Sequence, residues 1–535
     1  MAEVQRLKTD RWQQYWSAAP TVAHGWRMET ITDPSALFGA NGMCFGGPDD
    51  RLYVCQVAAP HITAFDIDTG ASSVFSPLDG GIRGPDDAVF LADGTLYATD
   101  FWFGQVSARN PDGTYRIAVD DITGCNGITT DTTGTRLFVD CPSIQPGVPG
   151  RLWEVDPSGS GERRLLMDNL EGPNALAMGP DGALYFPMPW ANEVWRYDLV
   201  TGRGRRAVSR LDWPCAVKFD SKGRLHAVEA SGRVVRVDLA TGQHEYLAEL
   251  PEGLDNLAIS PDDRVFASSW MDGSVTEVTD GRVDVLSPAG WIGPWGVSAR
   301  KDGTFFVADK QSVAVVNASG EILDRPARLA HELMGEAIGA CELGSDLVVL
   351  TNAGAIHLFD GTTMRPKVLA DGLTTVASVT SETDDSILFP EAATGTVWRL
   401  RRSGAREVVA EGFTTPRSVC NDADGNLYVA QGSGGSLVMC MTDGNRKDLA
   451  HLVDAEGVAV SGRTVLVTDA GAHTLVSVDV ESGRTETVVS DAPVGSPIAG
   501  RSWPAHFFAS VATDGAGGFI VGCSGDGSLR TIRRS

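Results

Sequence analysis

The sequence predicts an all-β protein made of two tandem six-bladed β-propellers. Three observations predict it. A unit with the same strand–turn–strand pattern recurs twelve times at a spacing of roughly forty residues, the period of four-stranded propeller blades. Long helical periodicity is nearly absent; only the first twenty or so residues and "RPARLAHELMGEA" (325–337) could hold a turn or more of helix. The chain also carries spare strands where two rings would have to close.

The clearest copy of the unit is "EGPNALAMGPDGALYF" (171–186). "NALAM" reads as an inner strand A, "GPDG" as a tight turn and "ALYF" as strand B. Strand C follows as "EVWRYDLVTG" and a variable strand D as "RRAVSRL". Copies such as "RGPDDAVFLADGTLYATD", "TGCNGITTDTTGTRLFVD" and "IGPWGVSARKDGTFFVAD" extend the series. Twelve blades exceed the usual four to eight of one ring, so two rings of six fit better. The expected division is an extension over 1–24, a first propeller over 25–280 and a second over 281–535. The last unit, "SLRTIRRS", has no strand D after it. The expectation is that "GWRMETIT" (25–32) closes the first ring and "GRVDVLSP" (281–288) the second, each removing an open sheet edge.

Composition bounds the function. Lys and Arg total 44 against 69 acids, a net charge of −25, which argues against nucleic acid and anionic membrane as partners. The nine cysteines are scattered without a CxxC pair and mostly lie in strand-like runs, where Cys acts as a small hydrophobe. No apolar run reaches the length of a membrane span, and "MAEVQRLKTDRWQQYW" lacks a signal-peptide core, so a cytoplasmic location is expected.

In a propeller, strand A lines the central channel, so the residue aligned with Asn174 in each blade points to a common axis. In the first six units these are Asn41, Asp86, Asn126, Asn174, Cys215 and Asp255. Five of six are Asn or Asp. Such oxygens suit a hard divalent cation such as Ca²⁺; the plainer alternative is that they bond strand termini and channel water. The second set is Trp295, Glu336, Val376 or Ala377, Arg417, Glu456 and Ala509, which argues against a metal there. Glu336, Arg417 and Glu456 read as an ion network, and the second ring as a scaffold, interaction face or lid.

The last residues of strand B border the same mouth: Gln56, Asp100, Asp140, Met188, Glu229 and Ser269. Asp100, Asp140 and Glu229 are candidate general bases, with capping of the adjoining turn as the structural alternative. Aromatic loops follow them, and Trp102, Trp190 and Trp270 are candidate walls of a substrate pocket. No GxSxG, HExxH, P-loop or dinucleotide fingerprint is present.

"PNALAMGPDGALYF" and "GRLHAVEASGRVVRVDLATG" resemble motifs of the SMP-30/gluconolactonase/LRE superfamily of six-bladed propellers, over about 250 residues of the first ring. The resemblance implies a divalent ion held by a Glu of blade one, Asn of blades three and four and Asp of blade five. Asn126 and Asn174 match; Asn41 replaces the Glu and Cys215 the Asp. Asp86 and Asp255 could restore the lost charge, with Ca²⁺ expected and Zn²⁺ (through the thiol) or Mn²⁺ as alternatives. The activity implied is metal-dependent hydrolysis of a lactone or similarly electrophilic carbonyl of a small molecule. Two alternatives stay open: a lyase or isomerase that stabilises an enolate, and a non-enzymatic propeller that binds a ligand or protein.

Overall fold

A computed structural model describes residues 19–142, 149–279, 281–328, 335–496 and 508–535. The expected helix in the first residues lies outside this set. Residues expected to be helical around 325–337 are instead strand where described: Ile322–Arg328 is one strand and Ala337–Leu343 another, while 329–334 are outside the described residues.

The strands form twelve antiparallel sheets, in two compact units of six. Among the described residues, the first unit spans Ala36–Gly290 and the second Trp291–Ser535 together with residues 19–35. Each sheet runs in strand order A-B-C-D, so blades 1–6 begin at Met43, Pro85, Ile128, Ala177, Pro214 and Leu254. Strand B is buried along its whole length in all six of them, for example Leu52–Gln56, Leu96–Asp100 and Leu225–Glu229. The cores lie at blade seams. At the seam of blades 1 and 2, Tyr53 packs edge-on against Phe75 and Phe90, with centroids 4.7 and 4.8 Å away.

In blades 2 and 6 a hydroxyl near the end of strand B stitches the blade to the next. Thr99 accepts the Asp87 N–H at 3.1 Å and donates to the Asn126 carbonyl of blade 3. Ser268 accepts from Asn256 at 3.1 Å and donates to the Asn41 carbonyl at 2.7 Å, closing blade 6 onto blade 1. Thr468 makes the same bridge between blades 11 and 12, and the Val297 N–H reaches Ser510 at 2.8 Å to close the second ring. Two closed rings of six result.

The closing strands differ from expectation. Arg282–Ser287 is the outer strand of blade 6, with Thr279 opposite Arg282 in a tight hairpin. Trp26–Thr32 pairs instead with Ser528–Arg534, from Trp26↔Arg534 to Thr32↔Leu529, and so completes blade 12 of the second ring. Thr21–Val22 adds a fifth strand to blade 11. The physical reason is loop entropy: the strand at 282–287 has a partner a tight turn away, and a local hairpin forms at less cost than a long-range exchange. The blade left without a strand D is the last one, and the N-terminal strand covers its edge.

Candidate functional site

The residue at the start of strand A is held alike in blades 1, 3 and 4. The backbone N–H groups of Asn41, Asn126 and Asn174 donate to the carbonyls of Cys55, Asp140 and Pro187 at 3.0, 2.9 and 3.2 Å. This shared bond places the three side chains at equivalent positions, with Asp86, Cys215 and Asp255 at the remaining blades.

Three of these residues come together electrostatically. Asp86 is buried, and its carboxyl is pushed well above the ordinary range, first by burial and then by Asp255, Asp87 and Asp140. Among the described residues, every charged neighbour acting on it is an acid. Asp255 is raised by burial and by Asp87, and the Asn41 side chain bonds it and works the other way. The Asn41 Oδ1 is itself buried without a hydrogen-bond partner. The Cys215 thiol is raised well above its usual range by burial, then by Asp255 and Glu229, so it stands as a neutral thiol beside the acids. That disfavours a soft-metal site.

One residue further along strand A, Asp87 is fully buried and accepts from the Ala88 N–H at 2.9 Å. Lys218 of blade 5 lies 4.0 Å from its Oδ2. A methyl group at Gly42 would fall 2.3 Å from the Asp87 Cα, so blade 1 must carry glycine for blade 2 to approach. Lys218 was not singled out in the sequence. Its signal is a lysine in "PCAVKF", where the corresponding residue of blade 4 is Ala177.

The three mouth acids separate. Asp100 is fully committed: Oδ1 accepts the Arg83 and Gly84 N–H groups at 3.0 Å each, and Oδ2 accepts from Gln105 at 2.8 Å and Ser107 at 2.5 Å. Gln56, Glu229, Glu391 and Gln431 cap the loop before strand A in the same way, through Phe38, Asp212, Thr374 and Thr414. The position is therefore a structural cap in both rings, and Asp100 has no lone pair left for a substrate proton. Glu229 retains Oε2, which is buried without a hydrogen-bond partner 3.8 Å from Arg233.

Asp140 does not belong to that set. Asp140, like Cys55, pairs with the strand A start, whereas Asp100 lies opposite Pro85 and Glu229 opposite Pro214. It is therefore offset by one residue and faces the other side of its sheet. It takes the place of the bridging hydroxyls Thr99 and Ser268. Its Oδ1 accepts the Gly127 N–H at 3.1 Å, and its Oδ2 is buried without a partner. Burial pushes its carboxyl up to about 7, with Asp87 adding to the shift and Lys218 opposing it.

Aromatic loops follow strand B in blades 2 and 4. Phe101–Phe103 and Pro189–Ala191 are single 3₁₀ turns ended by left-handed Gly104 and Asn192. The indole of Trp190 covers Gly172, two residues before Asn174, where a methyl group would fall 2.4 Å from the ring. It also meets Trp213 edge to face at 4.5 Å between centroids. Trp270 is offset by one residue from this position, which Met271 fills by standing over Gly253.

The second ring has a different axis. Glu336 pairs with Lys310 at 2.8 Å, both buried, and Lys310 also faces the Trp295 ring. Arg417 lies 3.4 Å from Asp454 and 3.6 Å from Glu456, so the expected network is two separate groups. Burial pushes Glu456 up to about 8 against the pull of Arg417. Beneath them is a cavity of about 30 Å³ lined by residues including Gly339, Ser378, Ser418 and Ser510, the size of one water.

Among the described residues, no three His, Cys, Asp or Glu side chains form a metal-holding group. A cation on the first axis would therefore rest on two carboxylates and amide oxygens. That donor set fits a hard ion, because Asp86 and Asp255 repel each other without a cationic side chain acting on either and Asn41 offers a free amide oxygen.

Fold and axis together define a tandem six-bladed β-propeller protein with a polar, acid-rich channel in its first ring. The chain belongs to the family described as outer membrane protein assembly factor BamB, which matches residues 8–283, more than half of its length. No curated protein matches it. Among solved structures, a streptogramin B lyase is 16% identical, covering 53% of this chain and 94% of the lyase, with a TM-score of 0.38. A gluconolactonase from Xanthomonas campestris is 18% identical, covering 47% and 92%, at 0.39. The extracellular domain of a one-component system described as putative, from B. thetaiotaomicron, is 11% identical, covering 92% and 70%, at 0.31. At these values the likenesses carry no functional argument. Among the described residues, no helix is long and apolar enough to cross a membrane.

Proposed function

We propose that the first propeller is a hydrolase of lactones or similarly electrophilic carbonyl compounds, dependent on a hard divalent cation of the Ca²⁺ kind. The observation that carries this reading is the Asp86–Asp255 pair, whose ionisation burial and mutual repulsion oppose, beside the unpartnered oxygen of Asn41. Asp86, Asp255 and Asn41 would hold the ion, with Asn126 and Asn174 supplying further amide oxygens. When bound, such an ion polarises a carbonyl and stabilises the developing oxyanion. The motif resemblance to the SMP-30/gluconolactonase superfamily supports the same reading.

Within the chain, Asp140 is the acid suited to take a proton from water. Its Oδ1 is fixed by Gly127, its Oδ2 makes no close hydrogen bond although the Leu176 N–H draws on the carboxylate, and a carboxyl near 7 matches the working pH of a general base. Lys218 holds Asp87 in place and limits the charge facing Asp140. The test is a panel of lactones and esters assayed with and without chelator. Turnover that stops on chelation and returns with added Ca²⁺ supports the proposal; an inert panel, or chelator-insensitive turnover, overturns it. A non-enzymatic binding role is the second reading, favoured by family membership, since the family's description is that of an assembly factor.

A further inference from the structure

The rim of the first ring has a property that its acidic axis does not require. Two residues after the end of strand B, blades 2, 4 and 6 present Trp102, Trp190 and Met271. The second ring has Gln311, Ser433 and Gly471 at that position. Trp102 and Trp190 leave 42% and 43% of their surface exposed, an uncommon degree for indoles that do not join a core.

A fourth member comes from the loop before strand A. Trp213 sits at φ +55, a left-handed conformation that a bulky residue adopts only when its surroundings hold it there. Its N–H donates to Asn192 Oδ1 at 3.0 Å, its carbonyl accepts the Ala230 N–H at 3.0 Å, and its ring meets Trp190. It lies two residues before axial Cys215, as Gly172 under Trp190 lies two before axial Asn174. The indole pair therefore lies where the chain enters strand A of blades 4 and 5, two residues before axial Asn174 and Cys215.

Several polar groups beside the indoles are already engaged. The Arg83 guanidinium stacks on Phe103 at 3.6 Å, Arg233 faces Asp212 and Glu229 at 3.6 and 3.8 Å, and Asn192 is occupied by Trp213. The indoles offer aromatic surface, and the unpartnered oxygens near them, Glu229 Oε2, Ser231 Oγ and Ser269 Oγ, are buried. Against the indole faces a polyhydroxylated ring would lose water without replacement, whereas a planar apolar group would stack.

We propose that Trp190 and Trp213, with Trp102 and Met271, select an aromatic lactone or ester over a polyhydroxylated sugar lactone. This inference rests on the hydrolase reading for its substrate but on the rim alone for its ligand chemistry. The full-length protein is assayed with dihydrocoumarin and with glucono-δ-lactone, and its tryptophan fluorescence is titrated with dihydrocoumarin. The expected results are a kcat/KM at least about a hundredfold higher for dihydrocoumarin and a saturable fluorescence change. Trp190→Ser should raise KM for dihydrocoumarin about tenfold and leave the sugar lactone within about twofold. Preference for the sugar lactone, or an equal loss with both, overturns the proposal. If neither lactone is turned over, the hydrolase reading fails and the titration alone decides. A saturable change that Trp190→Ser weakens upholds the aromatic rim, and no saturable change refutes it.

Discussion

Replacing Trp26 by Ala tests how the second ring is closed. Trp26 opens the N-terminal strand opposite Arg534 and is only 7% exposed. It packs in a cluster with Val489, Ala492, Phe519 and Ile532, all from blades 11 and 12, and the Arg534 guanidinium lies 4.6 Å from its ring. Burying roughly 200 Å² of indole at about 25 cal/mol per Å² is worth about 5 kcal/mol. Measured Trp→Ala and Phe→Ala costs in cores run about 3–5 kcal/mol. Hydrogen exchange read peptide by peptide is the assay. Amides of 485–490 and 519–534 should exchange faster by roughly two to three and a half decades, at about 1.4 kcal/mol per decade. Amides of 254–287 in blade 6 should be unchanged. Deprotection centred on blade 6, with 519–534 unaffected, would refute the closure, because that is the signature of a strand that seals the first ring.

A chain cut to residues 36–290 should fold into the first ring with a cooperative transition, whereas 20–280, which lacks the strand Arg282–Ser287, should melt lower; thermal denaturation of both decides it. Glu456→Gln should stabilise the second ring at alkaline pH. Its carboxyl stands at about 8 when folded against 4.5 in the unfolded chain, so the folded state holds more protons between those values and parent stability falls as pH rises through that window. The variant should gain on the order of 5 kcal/mol over the parent at pH 9 and nothing below pH 4.5, measured by urea unfolding. Asp140→Asn should lower lactone turnover at least about a hundredfold. The parent's kcat/KM should rise with pH through about 7, as Asp140 loses its proton, and the variant should lack this limb.

The repeat was legible because each blade restates one strand–turn–strand unit, and the equivalence of Asn41, Asn126 and Asn174 followed from aligning its copies. Closure was not legible in the same way. A strand such as Trp26–Thr32 pairs through its backbone edge, and its side chains do not name the partner. Only the hairpin at Thr279–Arg282 settles which ring keeps 282–287. Asp140 was grouped with Asp100 because both end a "VD" or "TD" strand, yet one residue of register reverses the face. Its side chain thereby leaves the loop-cap set and bonds Gly127 of its own blade instead. Trp213 and Lys218 were visible as letters, but the left-handed turn that lifts one and the 4.0 Å approach of the other to Asp87 arise from packing between blades.

The central claim is that the first ring binds a hard cation between Asp86, Asp255 and Asn41. Calorimetric titration of chelator-treated full-length protein with Ca²⁺ tests it most directly, alongside Asp86→Asn, Asp255→Asn and, as a second-ring control, Glu336→Gln. The account predicts one Ca²⁺ per chain in the parent and the control, with binding lost or weakened at least about tenfold in either first-ring variant. No Ca²⁺ binding by the folded parent, or binding that both first-ring variants retain unchanged, would contradict it.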